Sequence, residues 1–258
     1  MNDRPEFEHV LYEVSERIAT ITLSRPEVLN ACDPTTHAEV QRSIELAESD
    51  DDVRVIIIAA EGRGFCAGVD IKELASDRSL IVKVNKGNYD TFRAVHLNPK
   101  PVIVAVHGFV LGGGIGISGA ADIVVASECA RFGVPEVDRG AMGGGAHLQR
   151  LFPVQKVRYM YFTGEMIDAA EAYRLGAVER VVPRAQLRAA AREIAVKIAA
   201  KSPAMISLAK EALNGIEDGN LEDKYRGEQG FTLEAYTTKD SQEARDAFVQ
   251  KRDAKFAG

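Results

Sequence analysis

The sequence lacks an apolar run of transmembrane length. Its polar opening, Met1-Asn2-Asp3-Arg4-Pro5, carries no apolar signal core. A soluble, cytoplasmic protein is the expectation. There is no block of one charge either. The 32 Lys and Arg and 38 Asp and Glu are spread along the chain and leave a net charge of −6, which argues against nucleic acid as a partner. An acidic protein can still hold an anionic ligand through a few local bases and helix N-termini. The three cysteines, Cys32, Cys66 and Cys129, fit neither a zinc ribbon nor a CxxC redox motif. Their odd number, without an export signal, points to reduced thiols. The five histidines include no HExxH and no close pair, so no metal is expected.

What is present is a core. Apolar residues make up 46% of 258 positions, which suits one large domain or one domain with a small appendage. Residues 10–14 and 18–23 read as a hairpin turning at Ser15-Glu16-Arg17. Asp33-Pro34 offers an N-cap followed by Pro at the first helical position, with Val40, Ile44 and Ala47 on one face of the helix that follows. Residues 53–60, 102–106 and 123–126 read as strands, with shorter ones at 131–134 and 178–182. Asp70 offers another cap with Glu73 in capping-box position. A helix is expected over 112–121, and Asp168 caps another that stops at Gly176. After Pro183 the pattern changes to helices alone, over 184–200, 203–216, 221–238 and 241–255. An α/β core over 1–195 with a helical domain over 196–258 follows, the second part suited to assembly.

Two glycine-bearing turns each follow a strand and enter a helix. The first is Gly64-Phe65-Cys66-Ala67-Gly68-Val69-Asp70-Ile71. Its small residues let backbone N–H groups face a ligand closely, although an ordinary strand-to-helix turn has the same composition. The second is Gly108-Phe109-Val110-Leu111-Gly112-Gly113-Gly114-Ile115-Gly116. Glycines at a helix start expose N–H donors at the positive end of the macrodipole, and they also serve close helix–strand packing. Gly114, Gly116 and Gly119 spell GxGxxG, the dinucleotide fingerprint. The spacing disfavours that reading, because the first of them lies well beyond the end of the strand at 102–106 and apolar Val110 and Leu111 fill the gap.

Taken together, these segments resemble the crotonase family, the enoyl-CoA hydratases/isomerases, nearly end to end. Arg25-Pro26-Glu27-Val28-Leu29-Asn30-Ala31 is similar to its RPxxLNA motif. The two turns are similar to its FxAGxDI and KPVIAxVxGxxxGGG segments, Phe132-Gly133-Val134-Pro135-Glu136 to its FxxPE, and Gln149-Arg150-Leu151 to its QRL. Thr163-Gly164 with Ala169, Ala172 and Leu175-Gly176 matches a further stretch, and residues 247–252 match its C-terminal motif. The resemblance implies an α/β spiral of ββα units with a C-terminal helical domain that builds trimers, often paired into hexamers. It implies an acyl-CoA substrate, with coenzyme A as part of that substrate and no separate cofactor. The backbone N–H groups of Ala67 and Gly113 would form an oxyanion hole, and Ala67, Gly68, Val69, Asp70 and Gly113 would line the thioester pocket. Lys251 would meet the CoA 3′-phosphate region. Glu136 would move the proton.

The chain departs from the hydratase pattern at one point. Family hydratases carry a second glutamate where this sequence has Gly116, and dienoyl-CoA isomerases carry an aspartate where it has Gly144. One carboxylate, Glu136, remains. It is sufficient to shuttle a proton between two carbons, so double-bond isomerisation is the favoured reaction. Hydration, hydration with retro-aldol cleavage, and thioester or ring-ketone hydrolysis are the alternatives within the family, and a non-catalytic acyl-CoA-binding subunit is the alternative outside catalysis. His147 stands where the family has a small residue, either as a second acid/base or as a packed side chain. Asp138 is expected to be structural. Cys66 is read as a small packed residue, with no base in the sequence context to activate it. The segment 75–95 and the C-terminal helices are expected to line the acyl pocket.

Overall fold

The structure is a computed structural model that describes residues 6–69, 80–135, 144–217, 238–240, 243, 247, 250 and 252–256. Strands β1 (Val10–Ser15) and β2 (Ile18–Leu23) form the expected hairpin, Val10 opposite Leu23. Its turn residues, Glu16 and Arg17, both have positive φ, 51° and 66°, the conformation whose twist suits a two-residue hairpin loop. A short 3-10 turn, Pro26–Val28, leads into α1 (Pro34–Ser49), whose N-cap Asp33 accepts the Thr36 N–H. Then come β3 (Val55–Ala60), α2 (Leu80–Leu97), β4 (Val102–Val106), β5 (Phe109–Leu111) and α3 (Gly113–Ala120). They are followed by β6 (Ile123–Ser127), β7 (Arg131–Gly133), α4 (Gly145–Leu151), α5 (Val154–Thr163), β8 (Ile167–Asp168) and α6 (Ala169–Arg174). The described chain continues through β9 (Arg180–Val182), a 3-10 turn at Arg184–Gln186, α7 (Leu187–Ala199) and α8 (Pro203–Ile216). The helix expected over 184–200 thus begins as a 3-10 turn. The helix expected from 203 to 216 has those bounds, its N-cap Ser202 accepting the Met205 N–H. Of the helix expected over 221–238 only residue 238 is described; of that expected over 241–255, residues 243, 247 and 250 are helical, whereas 252–255 are not.

Six strands make one sheet in the order β1-β2-β3-β4-β6-β9, antiparallel only between β1 and β2. A smaller sheet, β5-β7-β8, stands beside it. All six residues of β3 are buried because the large sheet is covered on both faces, the usual condition of parallel strands. Alternate side chains divide between two cores. Ile56 and Ile58 join the main core with Val40 and Ile44 of α1 and Ile115 and Ile117 of α3. Val55, Ile57 and Ala59 face Leu187, Ala191 and Ala195 of α7. Helix α2 packs against α1 and α3. It was not singled out as a helix by pattern, and it proves to be the element that faces the glycine-rich turn.

Candidate active site

The turn at 64–69 is held in place by the LNA motif. Asn30 is buried, and its Nδ2 donates to Glu61 O at 2.9 Å and Gly64 O at 2.8 Å, while its Oδ1 accepts the Arg25 N–H at 2.8 Å. The turn then pairs with β5: Cys66 N–H donates to Phe109 O at 3.0 Å and Leu111 N–H to Cys66 O at 2.9 Å. This places Gly68 against the start of α3, where a Cβ on Gly68 would lie 3.7 Å from Gly113 N. Gly112 caps α3 with φ 48° and ψ −105°, a conformation that demands glycine. A Cβ on Gly114 would lie 2.8 Å from Cys66 O, so glycine there permits the close approach of helix and turn.

Gly113, the first residue of α3, directs its N–H out of the helix, with no acceptor among the described residues. The other expected donor is differently placed. Ala67 N–H donates to Leu29 O at 3.1 Å, so one donor of the expected pair is engaged within the protein. Leu29 and Asn30 both sit at φ 56°, in the left-handed region, and that backbone turns the Leu29 carbonyl towards Ala67. An acyl oxygen would have to displace that carbonyl to gain the second N–H. Val69 pairs with Cys32 across an isolated parallel bridge. Asp70, Glu73, Glu136, Asp138 and Lys251 lie outside the described residues. The chain on either side of Glu136 converges on the same glycine: Gly112 N–H donates to Gly133 O at 3.4 Å, and a Cβ on Gly144 would lie 3.8 Å from Gly112 O.

Position 116 has a steric explanation. A Cβ on Gly116 would lie 2.1 Å from Phe92 Cζ and within 2.5 Å of two further ring carbons. The ring of Phe92, from α2, occupies the space that a side chain at 116 would need. His147 meets the same ring edge-on, with centroids 4.8 Å apart, and its backbone O would be 2.4 Å from a Cβ on Gly119. His147 is half-buried and packed. Burial foremost, then Arg150 and His96, lower its pKa from the usual imidazole value. All three glycines of the GxGxxG string therefore answer to close packing, against Cys66, Phe92 and His147. Beyond Phe92 opens a cavity of about 830 Å³, lined among others by Tyr89, Phe92, Arg93, His96, Ala120 and His147. From the segment 75–95, Tyr89, Phe92 and Arg93 line that cavity.

Two contacts at Gly113 escaped the sequence reading. Cys32 and Cys66 are fully buried with their sulfurs 3.7 Å apart, each 3.8 Å from where a Gly113 Cβ would be. Their shared hydrogen bond, aided by burial, pushes the Cys32 thiol well up, and it lowers Cys66 against the effect of burial. Cys66 is the small packed residue it was expected to be. The second is Asn88 on α2. Its Oδ1 is buried without a hydrogen-bond partner among the described residues and lies 3.8 Å from the same Gly113 Cβ point. Its one available signal was the spacing of four between Asn88 and Phe92, which puts both on one face of a helix.

A family model described as enoyl-CoA hydratase/isomerase matches residues 13–258. The (7aS)-7a-methyl-1,5-dioxo-2,3,5,6,7,7a-hexahydro-1H-indene-carboxyl-CoA hydrolase of Rhodococcus jostii is 46% identical over 235 residues, covering 90% of this chain and 91% of that one. The short-chain-enoyl-CoA hydratase of Clostridium acetobutylicum is 36% identical, covering 96% and 97%. Among solved structures, an enoyl-CoA hydratase of Mycobacterium smegmatis superposes with a TM-score of 0.91 at 29% identity, covering 96% and 98%.

Proposed function

Because the chain belongs to the enoyl-CoA hydratase/isomerase family, the crotonase fold included, we propose that this acyl-CoA enzyme hydrolyses a cyclic oxo-acyl-CoA at a ring carbon–carbon bond. The observation that carries this reading is Phe92 above Gly116. No side chain fits at 116 beside that ring, so a water-holding pair of carboxylates is not available there. The apolar ring of Phe92 takes its place, and the same ring borders a cavity of about 830 Å³, lined also by Arg93, His96, Arg150 and Glu217, within the size range of pockets that enclose small ligands. A relative whose substrate is a fused-ring diketone joined to CoA, and whose name is hydrolase, supports the same choice.

The chemistry uses what the family site supplies. Water adds through its oxygen to a ring ketone as Glu136 takes its proton. The bond from that carbon to its neighbour breaks, and the electron pair moves onto the thioester as an enolate. The Gly113 N–H receives the enolate oxygen, joined by Ala67 when Leu29 releases it. Loss of one such donor typically costs about 3 kcal/mol of barrier. Glu136 returns the proton to carbon. The product is a ring-opened carboxylic acid, heavier by one water and still joined to CoA. Lys251 would hold the CoA phosphate, and assembly as a trimer or hexamer is part of the same reading.

The test is mass spectrometry of bicyclic and monocyclic oxo-acyl-CoA substrates alongside a free-thiol assay. Gain of one water without thiol release, abolished in Glu136→Gln, is the expected result. Thiol release would move the reaction to the thioester bond. Isomerisation is the second reading, favoured by the missing partner at 116, since a single carboxylate suffices for a proton shuttle. A rise in conjugated 2-enoyl absorbance from a trans-3-enoyl-CoA, with the cyclic substrates untouched, would establish it instead.

A further inference from the structure

We infer that the cavity bordered by Phe92 is a subsite for a carboxylate at the far end of the acyl group. This rests on the hydrolytic reading above, in which ring opening creates such a carboxylate. Three helices wall the cavity. Tyr89, Phe92, Arg93 and His96 come from α2, at spacings of three and four that put them on one face of that helix. His147 and Arg150 come from α4, and Gly119 and Ala120 from α3. Gly113 is the first residue of α3 and Ala120 the last, so they stand about 10 Å apart along the helix axis. The far end of a two-ring acyl group spans that distance when its thioester oxygen sits on the Gly113 N–H.

The lining is cationic once its internal pairing is counted. Arg150 is committed. Its Nε and Nη2 donate to Glu217 at 2.7 and 2.8 Å, and its Nη1 donates to Gly119 O at 2.6 Å and Ala121 O at 2.7 Å. Glu217, the one acid among the described lining residues, is neutralised by that pair. Arg93 is exposed, and its guanidinium meets no carboxylate among the described residues. The rings of His96 and His147 make no hydrogen bond there either. His96 and Arg150 stand near enough to His147 to lower its pKa, so groups from α2 and α4 converge. A guanidinium binds a carboxylate through two N–H groups, and a neutral imidazole donates one more. Phe92, edge-on to His147 with centroids 4.8 Å apart, gives the acyl carbons an apolar surface beside those donors. The protein as a whole carries a net charge of −6, so this lining is a local feature and not part of a generally positive surface. Arg93 holds the carboxylate as an ion pair, and no bond forms or breaks there.

The experiment is calorimetric titration of the full chain with pimeloyl-CoA, with its terminal methyl ester and with free CoA. Wild type, Arg93→Ala and Arg93→Lys are compared. Wild type should bind the acid about tenfold more tightly than the ester. Arg93→Ala should abolish that preference and leave the ester and free CoA bound as before, while Arg93→Lys should keep part of it. Equal affinity of the wild type for acid and ester would overturn the inference. So would equal weakening of all three ligands in Arg93→Ala, which would assign the guanidinium to the CoA phosphates or to the fold. Turnover is not needed for these titrations. Failure of the wild type to hydrolyse cyclic oxo-acyl-CoA substrates, with the preference for the acid intact, would defeat the hydrolytic reading and leave the carboxylate subsite standing.

Discussion

At position 116 the absent side chain is a packing requirement as well as a chemical departure. Phe92 fills the space, 2.1 Å from where a Cβ would lie. Gly116→Glu alone is therefore expected to distort α2 against α3, costing about 1–3 kcal/mol, and to gain no hydratase activity. Gly116→Glu combined with Phe92→Ala removes the clash and restores a carboxylate near Gly113. The double variant should hydrate crotonyl-CoA measurably above the single one, followed by loss of the enoyl absorbance. Equal, background rates in both would show that the Phe92 ring is not what keeps a carboxylate at 116 from acting. The sequence identified the glycine. It did not identify the ring, since Phe92 and Gly116 are brought together only by the packing of two helices.

Among the elements, α2 depends on a helix that sequence patterning placed but whose role it did not foresee. Lys210 of α8 is buried, and its Nζ donates to Asp122 at 2.8 Å and to the carbonyls of Val95 and Lys100. Asn214 Nδ2 donates to His96 O at 3.0 Å. Two side chains of α8 thus meet the last turn of α2, where carbonyls lack intrahelical partners. Asp122 in turn accepts the Val102 N–H at 2.6 Å, tying the same cluster to the start of β4. Lys210→Met removes the charge and leaves Asp122 part-buried without it. The expected loss is about 3 kcal/mol in chemical unfolding. Turnover should fall too, because α2 carries Phe92, which packs on Gly116. Stability within experimental error of wild type would mean that α8 is not the anchor of α2. A lysine within a helical run reads as a solvated face, so its burial was not legible beforehand.

For the molecule as a whole, two buried histidines couple stability to pH. His37 and His107 are each pushed down to about 4, by burial foremost, and His107 further by Arg184. Their unfolded value is near 6.5. Between those values the unfolded chain binds more protons, so stability falls as pH drops from 6.5 towards 4 and is level above. Complete passage through that window costs up to about 3 kcal/mol for each residue. Urea unfolding at a series of pH values should show this slope, and His37→Gln should flatten roughly half of it. A slope unchanged in His37→Gln would assign the acid sensitivity elsewhere.

The sequence by itself determined the family, the hairpin, the strands of the large sheet, the helices that start after Asp33 and Ser202, and the glycine-rich entry to α3. These follow from local signals, namely caps, alternation and glycine at a helix start, whose physics is contained within a few consecutive residues. Tertiary structure alone decided what surrounds that entry. Leu29 O engages Ala67, the Cys32 and Cys66 sulfurs and Asn88 Oδ1 lie close to Gly113, and Phe92 meets Gly116 from α2. Those partners are far from Gly113 along the chain and meet it only because two helices and a turn close on one another, and distance in sequence carries no record of that contact.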